Sequence, residues 1–483
     1  MKLKLKYIVG AIAAIGSAAA FAASPALNPT SDTPDTTFYV AGASAQKAGI
    51  QYVAAGKFFD TPANVVYITS SLTKDTANFS NPQNFPQGSI GFFGWSKASL
   101  TGGTSKKLLV LFSSANGSAA GINQVIAANG AAPEAQVVNV GPTATCVSNG
   151  LTAVGLSSTG QLTAYKCAGY TARVADVALS DVRVSEFPAT DDLGNPVIVG
   201  NAAALSETIQ TALEGFGIVA NNNMYFALQQ QNVADGILAA SCITGNSATN
   251  YNTTAACQPT ISKAQYANIA AGNYGSAADL LPGVLPAGTG VLNLVRRVPT
   301  SGTQAASGIY FLGAPCLSLL GNAQVPAIAG SYGNFNVIEG SQTDDVLSAM
   351  KNPAQPASLT SGYNIGVVSL EKADSDLGSA NATTYQGRFV RLNNSSSNYQ
   401  FADATSYDPK RRSNIIRGTY DFVTEMAAYV GGTANTALAT ELLNDIQDPS
   451  QSNIAGIAYL QGTPVAGLSA AVSRSGNNCN PLQ

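Results

Sequence analysis

Small hydroxyl residues cluster at three places where a strand pattern gives way to a helix pattern. Ser44 lies in AGASAQ, several serines lie in LFSSANGSAAG, and Ser301 and Thr303 lie in PTSGTQ. The first N–H groups of a helix have no partner within the helix, and the helix dipole leaves partial positive charge there. An oxyanion satisfies both, and small residues let it approach closely. Together, the three turns are candidate parts of an oxyanion site.

Charged residues adjoin these turns. Arg296 and Arg297 precede the third turn, and a guanidinium can donate two hydrogen bonds to one oxyanion. Asp181 ends the apolar run VADVALSD and is the candidate acidic residue. Simpler interpretations stay open, because Ser301 with Gln304 fits an S-x-x-Q capping box that closes a helix without any ligand. Asp181 can likewise be a cap, and Arg297 a surface residue.

The chain contains no histidine, which removes much catalytic chemistry. Ser-His-Asp and Cys-His catalysis, histidine-ligated zinc and histidine acid–base catalysis all need that side chain. No acidic pair stands out, since Asp191-Asp192 and Asp344-Asp345 look like loop and helix-start residues. We therefore expect a binding protein rather than an enzyme, with no catalytic residue, metal or cofactor. A secreted hydrolase such as a phosphatase is the weakest alternative.

The N-terminus predicts export. Three lysines in MKLKLK precede an apolar run and the A-x-A sequence Ala20-Phe21-Ala22, so we expect a signal peptide at 1–22. A membrane anchor is the alternative, but the apolar run is short for one. Only 11% of residues are charged, and removing the lysines makes the net charge more negative than −3, which argues against nucleic-acid binding. The expected location is the periplasm, with the extracellular space and cell surface left open.

Six cysteines in an exported chain predict disulfides. Sequence alone does not fix their pairing. We favour Cys146–Cys167 and Cys242–Cys257, which would staple two polar insertions, and Cys316–Cys479, which would tie the C-terminal tail to the body. A metal site is the weaker interpretation because no CxxC spacing occurs.

Strand and helix patterns alternate along the chain and predict an α/β fold with largely parallel sheets. The last clear pattern, RGTYDFVTEMAAYV, is interpreted as a helix. Ligands of such folds bind beyond the carboxyl ends of the strands, where helix N-termini point. The hydroxyl-rich turns occupy such positions.

In chain order, these segments resemble the phosphate-binding (PstS-like) periplasmic solute-binding proteins of ABC transporters, in the periplasmic-binding-protein type II superfamily. The resemblance is carried by FYVAGASAQKAGIQY, LLVLFSSANGSAAGINQVIA, VADVALSDVRVSEF, FGIVANNN, ISKAQYANIAAGNYGSAADLLPG, LVRRVPTSGTQAASGIYFL and SQTDDVLSAMKNPAQPASLTSGYNIGVVSLEKAD. Each motif alone is degenerate, but together they keep the family's order from about Thr37 to Tyr420.

The resemblance implies a two-lobed, hinged fold with disulfide-stapled insertions and a ligand between the lobes. Lobe I would comprise 30–215 and 370–440, lobe II 216–369, and a tail 441–483. The ligand would be inorganic phosphate or a related oxyanion, delivered to an inner-membrane ABC permease. The implied ligand-binding residues are Ser44 (hydroxyl), Ala45 (backbone N–H), Ser114 with Ser113 or Ser118 as alternatives, Asp181 (acceptor of a ligand proton), Arg297 (charged donor), and Ser301, Gly302 and Thr303 (helix-start cradle).

The chain departs from the family pattern in three ways. Pro299 stands where the family commonly has an acid that orients the arginine, and Ala45 replaces a bulkier apolar residue. The doubled Arg296-Arg297 leaves open which side chain faces the cleft. A cleft can outlive its ligand, so the alternative is an extracellular or cell-surface structural or adhesive protein on the same fold, with no transport role.

Overall fold

The computed structural model describes residues 23–69, 89–127, 136–148, 152–156, 160–168, 170–318, 321, 323–350, 362–371, 387–394, 397–399, 412–432, 435–448, 454–460 and 468–483. The signal peptide expected at 1–22 lies outside them. No helix within these ranges combines the length and apolarity needed to cross a bilayer.

The described chain is mixed α/β. Its strands are β1 (Thr36–Gly42), β2 (Val66–Thr69), β3 (Ser89–Trp95), β4 (Lys107–Ser113), β5 (Gln136–Val138), β6 (Thr145–Val147), β7 (Thr152–Leu156), β8 (Gly160–Ala168), β9 (Tyr170–Ala172), β10 (Val177–Ser180), β11 (Ser206–Asn221), β12 (Thr260–Ser262), β13 (Leu292–Arg297), β14 (Gly330–Tyr332), β15 (Phe335–Gly340), β16 (Tyr363–Ser369), β17 (Gly387–Phe389), β18 (Arg391–Asn394), β19 (Ser397–Tyr399), β20 (Val423–Val430) and β21 (Ile457–Tyr459). Its helices are α1 (Lys47–Lys57), α2 (Gly117–Ala127), α3 (Asn222–Ala234), α4 (Lys263–Ala270), α5 (Ala277–Leu280), α6 (Gly302–Ser307, continued by a π-helical turn at Gly308–Leu312), α7 (Thr343–Ala349), α8 (Ser413–Ile416) and α9 (Thr436–Gln447).

Most strands join one large sheet in the order β14-β15-β13-β16-β11-β20-β10-β1-β4-β3-β2-β8-β6. β1 runs parallel to β4 and β10, and β13 runs parallel to β15 and β16. Pairings between these two parallel groups are antiparallel, through β11 and β20. The sheet is therefore mixed rather than largely parallel. Each parallel group brings its strands' carboxyl ends to one edge.

The long strand β11 belongs to both parts of the sheet. Its first part pairs with β20 as far as Gly215, and from Phe216 onward it pairs with β16. Its pairing with β20 contains an irregularity between Ile209 and Leu213. One continuous backbone segment thus links the two parallel groups.

The helix predicted for RGTYDFVTEMAAYV is wrong over its whole length. Only Ser413–Ile416, just before the segment, is a helix, and Val423–Val430 form β20. β20 lies between β10 and β11, and every position except the last is buried. A strand buried on both faces shows no apolar–polar alternation, so the sequence pattern does not separate it from a buried helix.

Helices cover the sheet with apolar faces. In α9 the buried residues Leu438, Leu442 and Ile446 recur at helical spacing, and Asn435 caps the helix by accepting a hydrogen bond from the Leu438 N–H. α9 packs against α1, and α2 packs on β1 and β10. These contacts fix the starts of α1 and α2 against the strands that precede them.

The structure forms three disulfides, Cys146–Cys167, Cys242–Cys257 and Cys316–Cys479. These are the pairs favoured in the sequence analysis. The first joins β6 to β8 directly across the ladder. The third joins positions 163 residues apart and holds the C-terminal segment against the chain that follows α6. Long-range cross-links restrict the unfolded chain most in the entropic model.

We expect Gly42→Ala to destabilise the protein by about 3 kcal/mol, because a side chain there is strained and has no room. Gly42 ends β1 at φ +118°, and a Cβ would lie 2.1 Å from the Leu179 carbonyl oxygen. Urea unfolding measures the change. Gly102→Ala is the control, since Gly102 also has positive φ but nothing lies within 4 Å of its Cβ position. Equal losses of unfolding free energy in the two variants would show that the close packing of β1 on β10 does not contribute to the effect of Gly42→Ala.

Candidate functional site

The second and third hydroxyl-rich turns contact each other directly. Thr300 Oγ1 donates to the Asn116 carbonyl at 2.7 Å, and the Ala119 N–H donates to the Thr300 carbonyl at 2.8 Å. Gly117 has φ +80°, and a Cβ on it would lie 2.8 Å from the Ser301 Cα. Glycine is therefore required where the two turns meet.

Arg297 is the central charged group of the site. It is the last residue of β13, and only 1% of its surface is exposed. One guanidinium nitrogen donates to Ser44 Oγ at 3.2 Å and to Thr343 Oγ1 at 3.0 Å, and the other donates to the Ser341 carbonyl at 2.9 Å. Burial lowers the pKa of Arg297 to about 10, while Asp181, Asp345 and Asp344 oppose that shift. The side chain is therefore a buried cation whose direct partners are neutral oxygens.

The neighbouring Arg296 has a different role. Successive side chains of a strand point to opposite faces, so Arg296 points away from Arg297. Its guanidinium forms ion pairs with Asp192 at 2.6 Å and with Glu339 at 2.8 Å. Of the doubled arginines, Arg297 alone therefore joins the hydroxyl-rich turns.

The Asp181 carboxyl lies beside the start of α6. Thr303 Oγ1 donates to Asp181 Oδ2 at 3.4 Å. A Cβ built on Gly302 would lie 2.6 Å from Asp181 Oδ2 and 2.5 Å from Ser118 Oγ, so both side chains border the bare Gly302 backbone. Burial raises the pKa of Asp181 to about 6, against the opposing effect of Arg297 and of hydrogen bonds from Glu214, Thr303 and Ser118.

Glu214 forms a carboxyl pair with Asp181. It lies on β11, is 1% exposed, and accepts a hydrogen bond from Gln46 Nε2 at 3.3 Å. Burial and the neighbouring negative charge of Asp181 raise its pKa well above the ordinary range. Two carboxyls in contact away from water do not both ionise readily, so they share a proton. Arg297 favours the ionised form of Asp181, whereas the negative charge of Glu371 disfavours ionisation of Glu214, so Glu214 is the donor in this hydrogen bond.

This pair predicts that the ligand-free protein loses stability as pH rises through about 6. The folded state binds the Asp181 proton more tightly than the unfolded chain, whose pKa is near 3.8. The stabilisation is fully present below that unfolded value and is lost as pH rises through the folded one, by up to about 3 kcal/mol. The measurement is the unfolding free energy from pH 4 to 8, compared with Asp181→Asn. If the unfolding free energy of Asp181→Asn changed with pH as steeply as that of the wild type, the pH dependence would come from a group other than Asp181.

The predicted site residues fall into two adjoining groups. Ser44 joins Arg297, and Gly302 and Thr303 join Asp181. Ala45 is buried next to Ser44.

Two predicted serines behave differently. Ser301 is buried at the N-cap of α6, but its side chain makes no capping hydrogen bond, so the capping box that was left open as the simpler interpretation is not formed. Ser118, rather than the favoured Ser114, borders Asp181. Ser114 is buried, and its carbonyl accepts from the Gly117 N–H.

Three participants were not predicted from the sequence. Thr343 and the Ser341 carbonyl bind Arg297, and Glu214 pairs with Asp181. Ser341 and Thr343 hold the Arg297 guanidinium, and Pro299, two residues further along the chain, offers it no carboxylate. Glu214 had a visible signal, since it is a lone acid in the apolar run TALEGFGIVA. Thr343 had none beyond its position at the start of a helix.

The donors and the carboxyl of this arrangement are chemically suited to holding an oxyanion. Among the described residues, no group of three or more His, Cys, Asp or Glu side chains is placed to hold a metal ion. Arginine and hydroxyl groups donate hydrogen bonds to oxyanions, and a carboxylate beside them accepts a proton that the ligand carries.

Comparison with known proteins adds little. No family model matches the chain, and no curated protein does. Among solved structures the chain is similar to the crystal structure of PstS from Borrelia burgdorferi, with 12% identity, 60% of this chain and 80% of that chain covered, and a TM-score of 0.27. At that identity and score, the match does not bear on the ligand or on family membership.

Proposed function

We propose that the protein is an exported binding protein, without catalytic activity, that captures inorganic phosphate between two hinged lobes. The observation that carries the proposal is the buried Arg297, which donates to neutral oxygens and faces the buried Asp181 carboxyl. A buried cation with neutral direct partners is costly, and a bound anion offsets that cost. The hydroxyls of Ser44, Thr303 and Ser118 border the same place.

The Asp181 carboxyl favours phosphate over sulfate. An ionised carboxylate repels an oxyanion unless that anion has a proton to donate. Phosphate carries one or two protons near neutral pH, whereas sulfate carries none. In this proposal Arg297 neutralises the ligand charge, and Asp181 accepts the ligand's proton.

The two lobes would be the two parallel groups of the sheet, linked by β11 and β20. Arg297, Asp181 and Ser301 are each 1% exposed, and the turns at Asn116 and Thr300 are bonded together, so the described residues shield Arg297 and Asp181 from solvent. Entry therefore requires the groups to separate, and hinge motion about the linking strands would achieve this. Delivery to an inner-membrane ABC permease rests on the sequence resemblance alone.

The test is isothermal titration of the mature, oxidised protein with phosphate after bound anions are removed by unfolding and refolding. We expect saturable phosphate binding at pH 7.5, with sulfate on the order of 100-fold weaker, as a buried unpaired carboxylate contact costs a few kcal/mol. Sulfate binding as tightly as phosphate would contradict proton acceptance by Asp181. Binding of neither anion would reject the proposed function.

A structural or assembly role is the second candidate, and an exposed apolar surface favours it. Leu193 is 86% exposed and Val325 is 78% exposed. The segments that carry them are joined, because the Asp192 carboxylate accepts a hydrogen bond from the Ala329 N–H. Sedimentation of the wild type and Leu193→Ser at several concentrations tests this role. A monomer throughout, together with phosphate binding, would remove it.

A further inference from the structure

Glu214, the second residue of the carboxyl pair, is not needed if the site only accepts a proton from the ligand. Accepting a proton from phosphate needs only Asp181, yet Glu214 is buried behind it on β11. Glu214 Oε1 and Asp181 Oδ1 are both buried, and neither accepts a hydrogen bond from an amide, hydroxyl or guanidinium group of the described residues. Two carboxyls that share one proton need no other donor for the oxygens between them, which accounts for these two oxygens.

We infer that Glu214 is a positioning residue that decides which oxyanions the site accepts, by donating its proton to Asp181 and so keeping Asp181 an acceptor toward the ligand. With one proton on the pair, the site takes oxyanions that carry an acidic proton. With a second proton on the pair, Asp181 becomes a donor, and the site takes fully ionised oxyanions as well. This inference rests on the proposed function and names the ligand chemistry at each protonation state.

The surrounding charges keep the shared proton on Glu214. Glu214 faces Asp181 and Glu371, whose negative charges both raise its pKa, and the Gln46 amide opposes them weakly. Asp181 instead faces Arg297, which favours its ionised form. The pair therefore carries one negative charge, on the carboxyl that borders Gly302 and Thr303.

The charges around Arg297 keep its guanidinium protonated. Asp344 and Asp345 act on Arg297 from the start of α7 and favour its charged form. Arg297 thus stays a cation while the pair titrates. A change of ligand preference near pH 6 consequently belongs to the pair and not to Arg297.

The hydrogen bond from Glu214 has a measurable effect on Asp181. It lowers the pKa of Asp181, while burial raises it. Glu214→Leu removes this donor without adding a charge, so the effect of burial, which raises the pKa of Asp181, is less opposed. Asp181 then takes up its proton at higher pH and becomes a donor there. Glu214→Gln keeps a neutral donor of the same shape and is the matched control.

The experiment is titration of phosphate and sulfate into the wild type, Glu214→Leu, Glu214→Gln and Asp181→Asn between pH 5 and 8. In the wild type, sulfate affinity should fall about tenfold per pH unit above pH 6, because one proton is taken up with the anion. Phosphate affinity should change by less than about tenfold over the range. Titration in two buffers of different ionisation enthalpy counts the protons, and we expect about one per sulfate at pH 7.5.

The variants separate the inference from the proposed function. Glu214→Leu should narrow the preference for phosphate at pH 7.5 by about tenfold or more, and Glu214→Gln should keep it. Asp181→Asn should bind sulfate with no proton uptake. If phosphate binds and sulfate affinity follows the same pH course in Glu214→Leu as in the wild type, the role of Glu214 is rejected and the proposed function stands. If neither anion binds the wild type at any pH, the proposed function fails, and this inference with it.

Discussion

Arg297→Ala should lose phosphate binding by on the order of 1000-fold at neutral pH, the largest effect expected of any single change in this protein. The variant removes the buried cation and both of its donating nitrogens, leaving the anion opposite the Asp181 carboxyl alone. Asp181 also loses the charge that favours its ionised form, so its pKa rises. Isothermal titration at pH 7.5 measures the loss, and circular dichroism shows whether the fold is retained.

The neighbouring Arg296 provides the matched control for this prediction. Arg296→Ala removes an identical side chain one position earlier on β13, but its ion pairs to Asp192 and Glu339 lie on the opposite face. We expect that variant to keep phosphate affinity within about tenfold, at some cost in stability. Arg297→Lys should bind with intermediate affinity, because it restores the charge without the planar pair of donors. Loss of binding in Arg296→Ala as deep as in Arg297→Ala would mean that Arg297 does not contact the anion.

Much of the site was predictable because it is local in sequence. A strand end, a run of small residues and a helix start are adjacent in the chain, so Ser44, Asp181 and Arg297 could be identified as edge residues of one sheet. Which of the two arginines faces the site follows from alternation along β13 once the strand is placed. The disulfide pairs were favoured from their positions at polar insertions and at the tail, although the sequence alone did not fix them.

The remaining features depend on register and turn geometry, which the sequence pattern does not carry. The pairing of β11 with β20 shifts between Ile209 and Leu213, and such a shift decides which face Glu214 occupies. The choice of Ser118 over Ser114 follows a turn in which Asn116 and Gly117 both have positive φ. β20 itself was interpreted as a helix, so no sequence argument could place β11 beside it. Glu214 could therefore be noticed in the sequence as a lone acid, but its pairing with Asp181 could not be predicted.

Gly302→Ala should weaken phosphate binding by on the order of 100-fold and lower the unfolding free energy by about 1–3 kcal/mol. The added methyl group would lie 2.5 Å from Ser118 Oγ, 2.6 Å from Asp181 Oδ2 and 2.8 Å from Asp181 Cβ, so both side chains must move. Asp181 Cβ is bonded directly to the backbone and both side chains are buried, so displacing them costs stability even though alanine favours the helix more than glycine. Phosphate binding is weakened as well, since the hydroxyl and the carboxyl that border the ligand are displaced together. Titration of phosphate and urea unfolding measure the two quantities separately.

Gly308→Ala is the control within the same helical run. Its Cβ would come no closer than 3.4 Å to a neighbour, the Ala314 carbonyl oxygen, so it adds a methyl group without displacing any group of the site. We expect phosphate affinity within about twofold of the wild type for this variant. Wild-type affinity in Gly302→Ala would mean that Ser118 and Asp181 do not border the ligand, and the anion would then be bound by the Arg297 group alone. Loss of binding in Gly302→Ala together with intact binding in Gly308→Ala would place the bound oxyanion against the start of α6, between Arg297 and Asp181.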